Sequence, residues 1–195
     1  MSHKIVVILG STREARYGDK PAHWILGRLR EDPRFDPELV DLRDWPLPFF
    51  DRPMSPTRIT NGDYGNEVAN RWGAKVASAA GFVIVVAEYN HGYTAVLKNA
   101  LDWVFREWNR KPVTFVGYGN AGGSRAIEQL RQVVIELQMM PMKFAVHLPG
   151  PLYMALRNEV MPVDPKHFAP AEPAASAMRE DLAWWAETLR SARNQ

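Results

Sequence analysis

Apolar runs alternate with segments of helical period along this chain. The continuous runs at 5–9, 82–87 and 112–118 predict buried parallel strands, because both faces of such strands are covered. Weaker stretches at 143–147 and 37–42 predict two further strands, the second near an edge.

Apolar residues spaced three and four apart predict helices between these strands. The expected helices cover residues 21–30, 68–79, 97–108, 123–137 and 178–190. Strands and helices that alternate in this way indicate βαβ units, with helices on both faces of a parallel sheet. We therefore expect one α/β domain spanning residues 1–195.

The connection 43–65 is rich in Pro, Asp and Gly and shows no regular period. A long irregular connection in a compact domain is usually functional or lies at an interface. Most of the seven Trp, including Trp72, Trp103 and Trp108, lie on apolar helical faces and are expected in the core. The consecutive Trp184 and Trp185 cannot share one helix face, so one of them is a candidate for a partner contact.

Composition narrows the possible chemistry. The 195 residues include 24 Lys+Arg and 22 Asp+Glu, a net charge of +2 with the charges interspersed, which argues against a nucleic-acid partner. The chain has no Cys, so disulfides, thiolate metal sites and cysteine nucleophiles are excluded, and redox chemistry would need a bound cofactor. The five His show no metal-binding spacing, and no apolar run is long enough for a membrane span. We expect a cytoplasmic protein without a metal or membrane partner.

The loop after the first strand, from Gly10 to Gly18, carries hydroxyl groups and two arginines and leads into a helix. Backbone N–H groups at a helix N-terminus, together with arginines, are suited to binding a phosphate group. The loop lacks the Gly-Lys-Ser/Thr ending of a P-loop. An ordinary polar turn is an equally good interpretation of this loop alone.

The loop after the strand at 82–87 reads Glu88-Tyr89-Asn90-His91. Tyrosine offers area for stacking, and amide groups suit the edge of a heterocycle. The alternative is that Asn90 only caps the next helix and the tyrosines fill the surface.

The loop at 117–123 matches G-x-G-x-x-G, the dinucleotide-binding fingerprint. That fingerprint belongs to the first strand-helix turn and needs an acidic residue about 20 positions later. The region 140–143 has no carboxylate, so we interpret the glycines as allowing the backbone to approach a flat ring.

In a flavodoxin-like sheet of order 2-1-3-4-5, the three strands that carry these loops are adjacent. Their loops then converge on one crevice, with anion contacts on one side and planar contacts on the other. A phosphorylated flat heterocycle, FMN above all, fits this division.

Three segments carry a more specific resemblance: GSTREARYGDKPAHWI, AEYNHGYTAVLKNALDWV and GYGNAGGSRAIEQLR. In order and spacing they resemble the NADPH-dependent FMN reductase family of flavodoxin-like quinone, azo-dye and chromate reductases. The resemblance covers residues 5 to 135 and implies a three-layer sandwich around a five-stranded parallel sheet.

The resemblance also implies roles for individual residues. Ser11 and Arg13 would hold the FMN phosphate, and Arg16, Tyr17 and Gly18 would close that loop. The isoalloxazine and ribityl chain would be lined by Glu88, Tyr89, Asn90 and His91, and the pyrimidine side of the ring by Gly119, Asn120, Ala121 and Gly122.

Three positions depart from the family pattern. Ala87 and Thr94 stand where proline is common, and Gly18 lies near the position of a phosphate-binding serine in many members. The first two departures affect loop rigidity. The third leaves the identity of the phosphate contacts open.

The implied activity is hydride transfer from NADPH or NADH to bound FMN, and then to a small-molecule acceptor such as a quinone or a flavin. This chemistry needs no dedicated protein acid or base, so we assign no catalytic residue. Arg13, Arg16 or Arg125 at the cavity mouth would favour a 2′-phosphate. The resemblance further implies a homodimer or homotetramer, with the flavin site near the subunit boundary and the 43–65 connection contributing there.

Two other classes of protein remain open. One is an FMN-binding electron carrier like the true flavodoxins, although such carriers are typically strongly acidic and this chain is not. The other is a nucleotide-binding protein without redox activity.

Overall fold

The computed structural model describes residues 2–193 and contains a sheet of parallel strand segments with helices on both faces. The strands are β1 (His3–Leu9), β2 (Phe35–Asp41), β3 (Gly81–Ala87), β4 (Pro112–Tyr118), β5 (Met140–Pro141) and β6 (Val146–Leu148). The α-helices are α1 (Asp19–Arg30), α2 (Glu67–Ser78), α3 (Ala95–Asp102), α4 (Ser124–Glu136), α5 (Gly150–Leu156) and α6 (Glu172–Arg193). Short 3₁₀ helices cover Leu42–Asp44, Pro56–Arg58, Arg106–Trp108 and Pro165–Ala171.

The sheet has the order β2-β1-β3-β4-β5, and β6 also pairs with β4. This confirms the predicted order, with β5 and β6 together in the fifth position. The single strand predicted at 143–147 is wrong in its bounds. Between β5 and β6, backbone carbonyls accept hydrogen bonds from side chains and not from the backbone of a neighbouring strand. Thr114 Oγ1 donates to the Phe144 carbonyl at 2.7 Å. The Arg131 guanidinium donates to the carbonyls of Met142 and Lys143.

The strands separate two apolar cores. Along β1, Ile5, Val7 and Leu9 face α1 and α6, whereas Val6 and Ile8 face α2, α3 and α4. These alternating side chains are 0–1% exposed. A strand covered on both faces explains its unbroken apolar sequence.

Helix α3 ends six residues before the predicted end of the 97–108 helix. Two indole N–H groups donate hydrogen bonds to carbonyls in its last turn. Trp72 donates to the Ala100 carbonyl at 2.8 Å, and Trp108 donates to the Leu101 carbonyl at 3.3 Å. Because these bonds satisfy carbonyls that a further helical turn would use, the chain can leave the helix there. Both indoles are fully buried, as expected for core tryptophans.

The C-terminal part differs most from the prediction. Helix α5 was not predicted, and α6 begins at Glu172 and not at 178. Trp185 packs against the core and Trp184 is 59% exposed, so the two do not share one helix face, although their rings contact each other with centres 4.7 Å apart. Across residues 2–193, no helix has the length and apolar character that crossing a membrane requires.

The 43–65 connection is irregular apart from short 3₁₀ turns, as predicted. Its first part is fastened to α3. The Asn99 side chain donates to the carbonyls of Leu47 and Pro48 and accepts from the Phe50 N–H at 3.0 Å. The Trp103 indole donates to the Pro48 carbonyl at 2.7 Å. The connection therefore has a defined position beside the carboxyl ends of the strands.

Candidate functional site

The loops that follow β1, β3 and β4 meet at the carboxyl edge of the sheet around a cavity of about 570 Å³. Ligands of open parallel sheets bind at this edge, where the strand order reverses. Here the reversal lies between β1 and β3. The residues that line the cavity are Arg13, Ala15, Arg16, Tyr17, Ala87, Glu88, Tyr89, Tyr118, Gly119, Asn120, Tyr153, Arg157 and Asn158.

The loop after β1 offers free backbone donors. Within residues 2–193, the N–H groups of Thr12, Arg13, Glu14 and Ala15 donate no hydrogen bond. Consecutive free N–H groups form an anion-binding concavity in many phosphate sites. Because the Arg13 side chain also reaches the cavity, this loop fits a phosphate group.

Arg16 is a buried structural cation, with a side chain that is 3% exposed. Its guanidinium donates to both carboxylate oxygens of Asp41, to Asp19 at 2.7 Å and to the Ser11 carbonyl. Burial alone would raise the pKa of the Asp41 carboxyl, but the hydrogen bonds from Arg16 and from the Arg43 N–H outweigh burial and lower that pKa. The expectation that Arg16 stands at the cavity mouth to meet a 2′-phosphate is therefore wrong. It holds the loop closed.

Ser11 and Tyr89 connect the first loop to the second. Ser11 is 1% exposed, and its Oγ lies 2.9 Å from the Tyr89 hydroxyl. The Arg13 guanidinium lies 5.7 Å from the centre of the Tyr89 ring. This arginine-tyrosine pair separates the main cavity from a second cavity of about 390 Å³, which is lined by Thr12, Arg13, Leu47, Phe49, Tyr89, Thr94, Ala95, Val96 and Asn99.

The loop after β3 forms a tight two-residue turn. Tyr89 and Gly92 exchange backbone hydrogen bonds of 2.8 and 2.9 Å. Asn90 and His91 between them have φ values of +50° and +70°, the pattern of a type I′ turn. Asparagine and histidine are both among the non-glycine residues found more often than others in this left-handed conformation. Asn90 therefore shapes the turn, and it does not cap α3. Thr94 performs that role through its Oγ1.

Glu88 is committed to an ion pair with Arg125. Its side chain is 5% exposed, and it accepts hydrogen bonds from Arg125 Nε at 2.7 Å and from the Arg125 backbone N–H at 3.2 Å. Arg125 Nη1 lies 3.0 Å from His91 Nε2. The pair ties the second loop to the start of α4, so Arg125 is not a free arginine at the mouth.

Of the four glycine-loop residues expected in the site, 119–122, the first two contribute to the cavity. Gly119 has a φ of +146°, and a Cβ there would lie 3.2 Å from the Glu88 Cβ. Gly119 and Asn120 line the cavity. Gly122 packs instead against His147, whose Nδ1 lies 3.2 Å from the Gly122 carbonyl oxygen. Ala121 is exposed and does not line the cavity.

Three tyrosines form the wall on the α1 side. The ring of Tyr17 lies 5.1 Å from that of Tyr118 and 5.0 Å from that of Tyr153. The hydroxyl groups of Tyr17 and Tyr118 are buried, and that of Tyr17 makes no hydrogen bond within the described residues. Burial raises the pKa of both phenols, so they remain neutral. Arg157 and Asn158 continue this wall beyond α5.

The structure brings together seven of the thirteen residues expected in the site. The cavity is lined by Arg13, Arg16, Tyr17, Glu88, Tyr89, Gly119 and Asn120. Ser11, Gly18, Asn90, His91, Ala121 and Gly122 lie beside or behind it. Sequence reasoning missed the contributions of Tyr118, Tyr153, Arg157 and Asn158. Tyr118 had a signal in its position at the end of a predicted strand, whereas residues 153–158 had none.

Comparison with known proteins decides the family. The sequence profile of the NADPH-dependent FMN reductases matches residues 3–150. The chain belongs to the NADPH-dependent FMN reductase family. An NAD(P)H-dependent FMN reductase of Schizosaccharomyces pombe is 43% identical over 149 residues, which is 75% of this chain and 74% of the relative. A 2-hydroxy-1,4-benzoquinone reductase of a Burkholderia species is 34% identical over 152 residues, or 73% and 75% of the two chains.

A solved structure supports the fold of this FMN reductase family member. The flavoenzyme NAD(P)H:(acceptor) oxidoreductase FerB of Paracoccus denitrificans superposes with a TM-score of 0.68 over 95% of this chain and 98% of FerB, at 22% identity. The β1, β3 and β4 loops all lie within the matched residues 3–150. Tyr153, Arg157 and Asn158 lie outside that span, so this part of the cavity wall is not covered by the family match.

Proposed function

We propose that this chain is an FMN-dependent NAD(P)H oxidoreductase that passes hydride from the nicotinamide, through bound FMN, to a quinone-like or flavin acceptor. One observation carries the proposal: a single cavity combines free backbone N–H donors and Arg13 at one end with tyrosine faces and a glycine loop at the other. A phosphorylated planar heterocycle needs both ends. The names of the yeast and Burkholderia relatives support the activity and the acceptor class.

In this proposal, the loop after β1 holds the phosphate through the N–H groups of Thr12 to Ala15 and the Arg13 side chain. The backbone at Glu88 and Tyr89 and at Gly119 and Asn120 holds the ring, and the Asn90-His91 turn beside the cavity shapes the first of these segments. Ser11 acts from behind the cavity, where its hydroxyl orients Tyr89. When bound, FMN supplies a centre that accepts hydride from a nicotinamide and delivers it to an acceptor.

The chain's own residues hold the ring in place and exclude water from it. They do not transfer protons. Tyr17 and Tyr118 in the tyrosine wall are neutral and buried, so they limit water at the ring. Glu88 is paired with Arg125, so this pair adds no net charge beside the ring that the cavity would hold. We therefore assign no catalytic acid or base, and NADPH and NADH both remain co-substrates of the proposal.

The proposal includes a homodimer or homotetramer. Phe49 beside the second cavity is 79% exposed and Trp184 on α6 is 59% exposed. Large exposed aromatic residues are typical of protein interfaces. Light scattering of the purified protein should give twice or four times the 22.2 kDa chain mass; a value of one chain mass at micromolar concentration contradicts this part.

The function is tested first by the chromophore. The purified protein should be yellow, release FMN on denaturation, and reduce a quinone with NADPH or NADH. A colourless protein that does not bind added FMN contradicts the proposal. A protein that holds FMN but shows no turnover with any quinone, azo dye or free flavin supports the electron-carrier alternative.

A further inference from the structure

The carbonyl groups of the loop after β1 are held by an arginine that lies outside that loop. Arg43, two residues past the end of β2, donates through Nε to the Thr12 carbonyl at 3.4 Å and through Nη2 to those of Arg13 and Glu14. The bond to Glu14 is 2.7 Å long. One exposed guanidinium therefore binds three consecutive carbonyls.

This contact has a consequence for the N–H groups of the same peptides. In a trans peptide the N–H points in the direction opposite to the carbonyl. With the carbonyls of residues 12–14 directed at Arg43, the N–H groups of Arg13, Glu14 and Ala15 face away from it. These are among the N–H groups that donate no hydrogen bond within residues 2–193.

Arg43 is itself fixed by the carboxylate that holds Arg16. Asp41 Oδ1 accepts the Arg43 backbone N–H at 2.9 Å and Arg16 Nη1 at 2.7 Å. Arg16 in turn donates to the Ser11 carbonyl. The end of β2 thus directs four consecutive carbonyls, Ser11 to Glu14, onto two guanidinium groups.

We infer that Arg43 is a positioning residue that makes the loop after β1 select a phosphorylated flavin over the same flavin without its phosphate. It touches the carbonyl side of the loop, and the phosphate would meet the N–H side. This inference rests on the proposed function, because it concerns the phosphate end of the proposed FMN cavity. The positive charge of Arg43 adds to that of Arg13 at the same end of the cavity.

The test compares FMN with riboflavin, which has the same ring and lacks the phosphate. Apoprotein is titrated with each flavin for the wild type, Arg43→Gln, Arg43→Lys and the control Arg30→Gln. Arg30 is exposed in the last turn of α1, so its replacement makes the same change in charge elsewhere.

We expect Arg43→Gln to weaken FMN binding by about tenfold or more, the scale of a lost charge-assisted contact, with riboflavin binding changed by less than about twofold. Arg43→Lys should fall between, because an ammonium group keeps the charge but cannot reach three carbonyls at once. Arg30→Gln should match the wild type. If Arg43→Gln does not fold, Arg43→Lys and the wild type carry the comparison.

Two results would overturn the inference while leaving the proposed function standing. One is an unchanged affinity for FMN in both Arg43 variants. The other is an equal loss of affinity for both flavins, which would mean that Arg43 only stabilises the loop and does not select for the phosphate. A wild-type protein that binds neither flavin overturns the proposed function as well, so the two failures are distinguishable.

Discussion

At the scale of single residues, Gly18 has a packing role that its place in the loop sequence concealed. A Cβ at Gly18 would lie 2.6 Å from the Tyr118 hydroxyl oxygen and 2.8 Å from a Leu9 methyl group. These distances are shorter than van der Waals contact, so only glycine lets the start of α1 approach β4. The glycine that departs from the family's serine therefore keeps the tyrosine wall in place.

Gly18→Ala should lower the free energy of unfolding by about 1–3 kcal/mol, the usual cost of overpacking. Gly27→Ala, in the same helix, should raise it by about 0.5–1 kcal/mol, since a Cβ there meets nothing within 4 Å. Both values come from urea denaturation. Equal effects of the two alanines would contradict this account of Gly18. Adding Tyr118→Phe to Gly18→Ala should recover part of the loss.

Arg13 is the side chain that we expect to contact the phosphate directly. Arg13→Ala should weaken FMN binding by roughly 1.5–3 kcal/mol, because it removes a charge-assisted hydrogen bond. The backbone carbonyl that Arg43 binds is unchanged in this variant, so the loop should keep its shape. Fluorescence titration with FMN measures the loss. Wild-type affinity in Arg13→Ala would exclude Arg13 from the phosphate site.

At the scale of elements, helix α3 carries most of the LKNALDW stretch of the segment AEYNHGYTAVLKNALDWV, and its side chains explain that stretch by their contacts with the 43–65 connection. Asn99 and Trp103 hold the backbone of residues 47–50. Lys98 and Asp102, one turn apart on the same helix, form an ion pair at 2.6 Å. The motif therefore positions the 43–65 connection beside the second cavity.

Asn99→Ala should release that connection, because it removes three hydrogen bonds to the backbone of residues 47–50. Amide hydrogen exchange at Phe50 should quicken, and proteases should cut the connection sooner. Lys98→Ala is the control, since its ion pair with Asp102 is exposed and contributes little. Unchanged exchange at Phe50 in Asn99→Ala would show that other contacts hold the connection.

A buried lysine just before β4, Lys111, lies against the end of α2 and has a lowered pKa. Lys111 Nζ donates to the carbonyls of Val76 and Ala77 at 2.8 and 2.9 Å. Burial lowers the pKa of Lys111 to about 7. Between pH 7 and the ordinary lysine pKa of 10.5, the unfolded chain binds a proton that the folded chain has lost. The free energy of unfolding should therefore rise with pH across this window.

Lys111→Met should remove this rise, so the stability difference between the variant and the wild type should change between pH 7 and 9. Urea denaturation at several pH values measures it. Lys166→Met, at an exposed position, should follow the wild type in parallel. A constant difference between Lys111→Met and the wild type across this range would contradict a lowered pKa.

At the scale of the whole molecule, the sequence predicted what depends on continuous patterns. The runs at 5–9, 82–87 and 112–118 became β1, β3 and β4 because burial on both faces leaves an unbroken apolar signal. The fifth strand was misplaced because the side chains of Thr114 and Arg131 take its backbone carbonyls, and neither contact has a local pattern.

The candidate site likewise contains residues that the sequence could identify and residues that it could not. The three loops could be identified because each follows a strong strand. Arg43 could not be identified from the sequence, because it contacts backbone carbonyls about 30 positions earlier in the chain. Every residue has a backbone carbonyl, so these partners leave no pattern in the sequence. Tyr153, Arg157 and Asn158 lie in a segment without a strand signal, and only the fold brings them to the cavity.

A cysteine-free chain with a net charge of +2 must carry out redox chemistry on a bound cofactor, and its charge does not suit an acidic electron carrier. The central claim is that this cofactor is FMN and that it accepts hydride directly from NAD(P)H. The most direct measurement is anaerobic rapid mixing of the FMN-loaded protein with NADPH, and separately with NADH, followed by the absorbance of oxidised flavin. We predict that at least one nucleotide bleaches the flavin at least as fast as steady-state turnover with a quinone. Flavin that stays oxidised with both nucleotides, or bleaches far more slowly than turnover, would contradict the account.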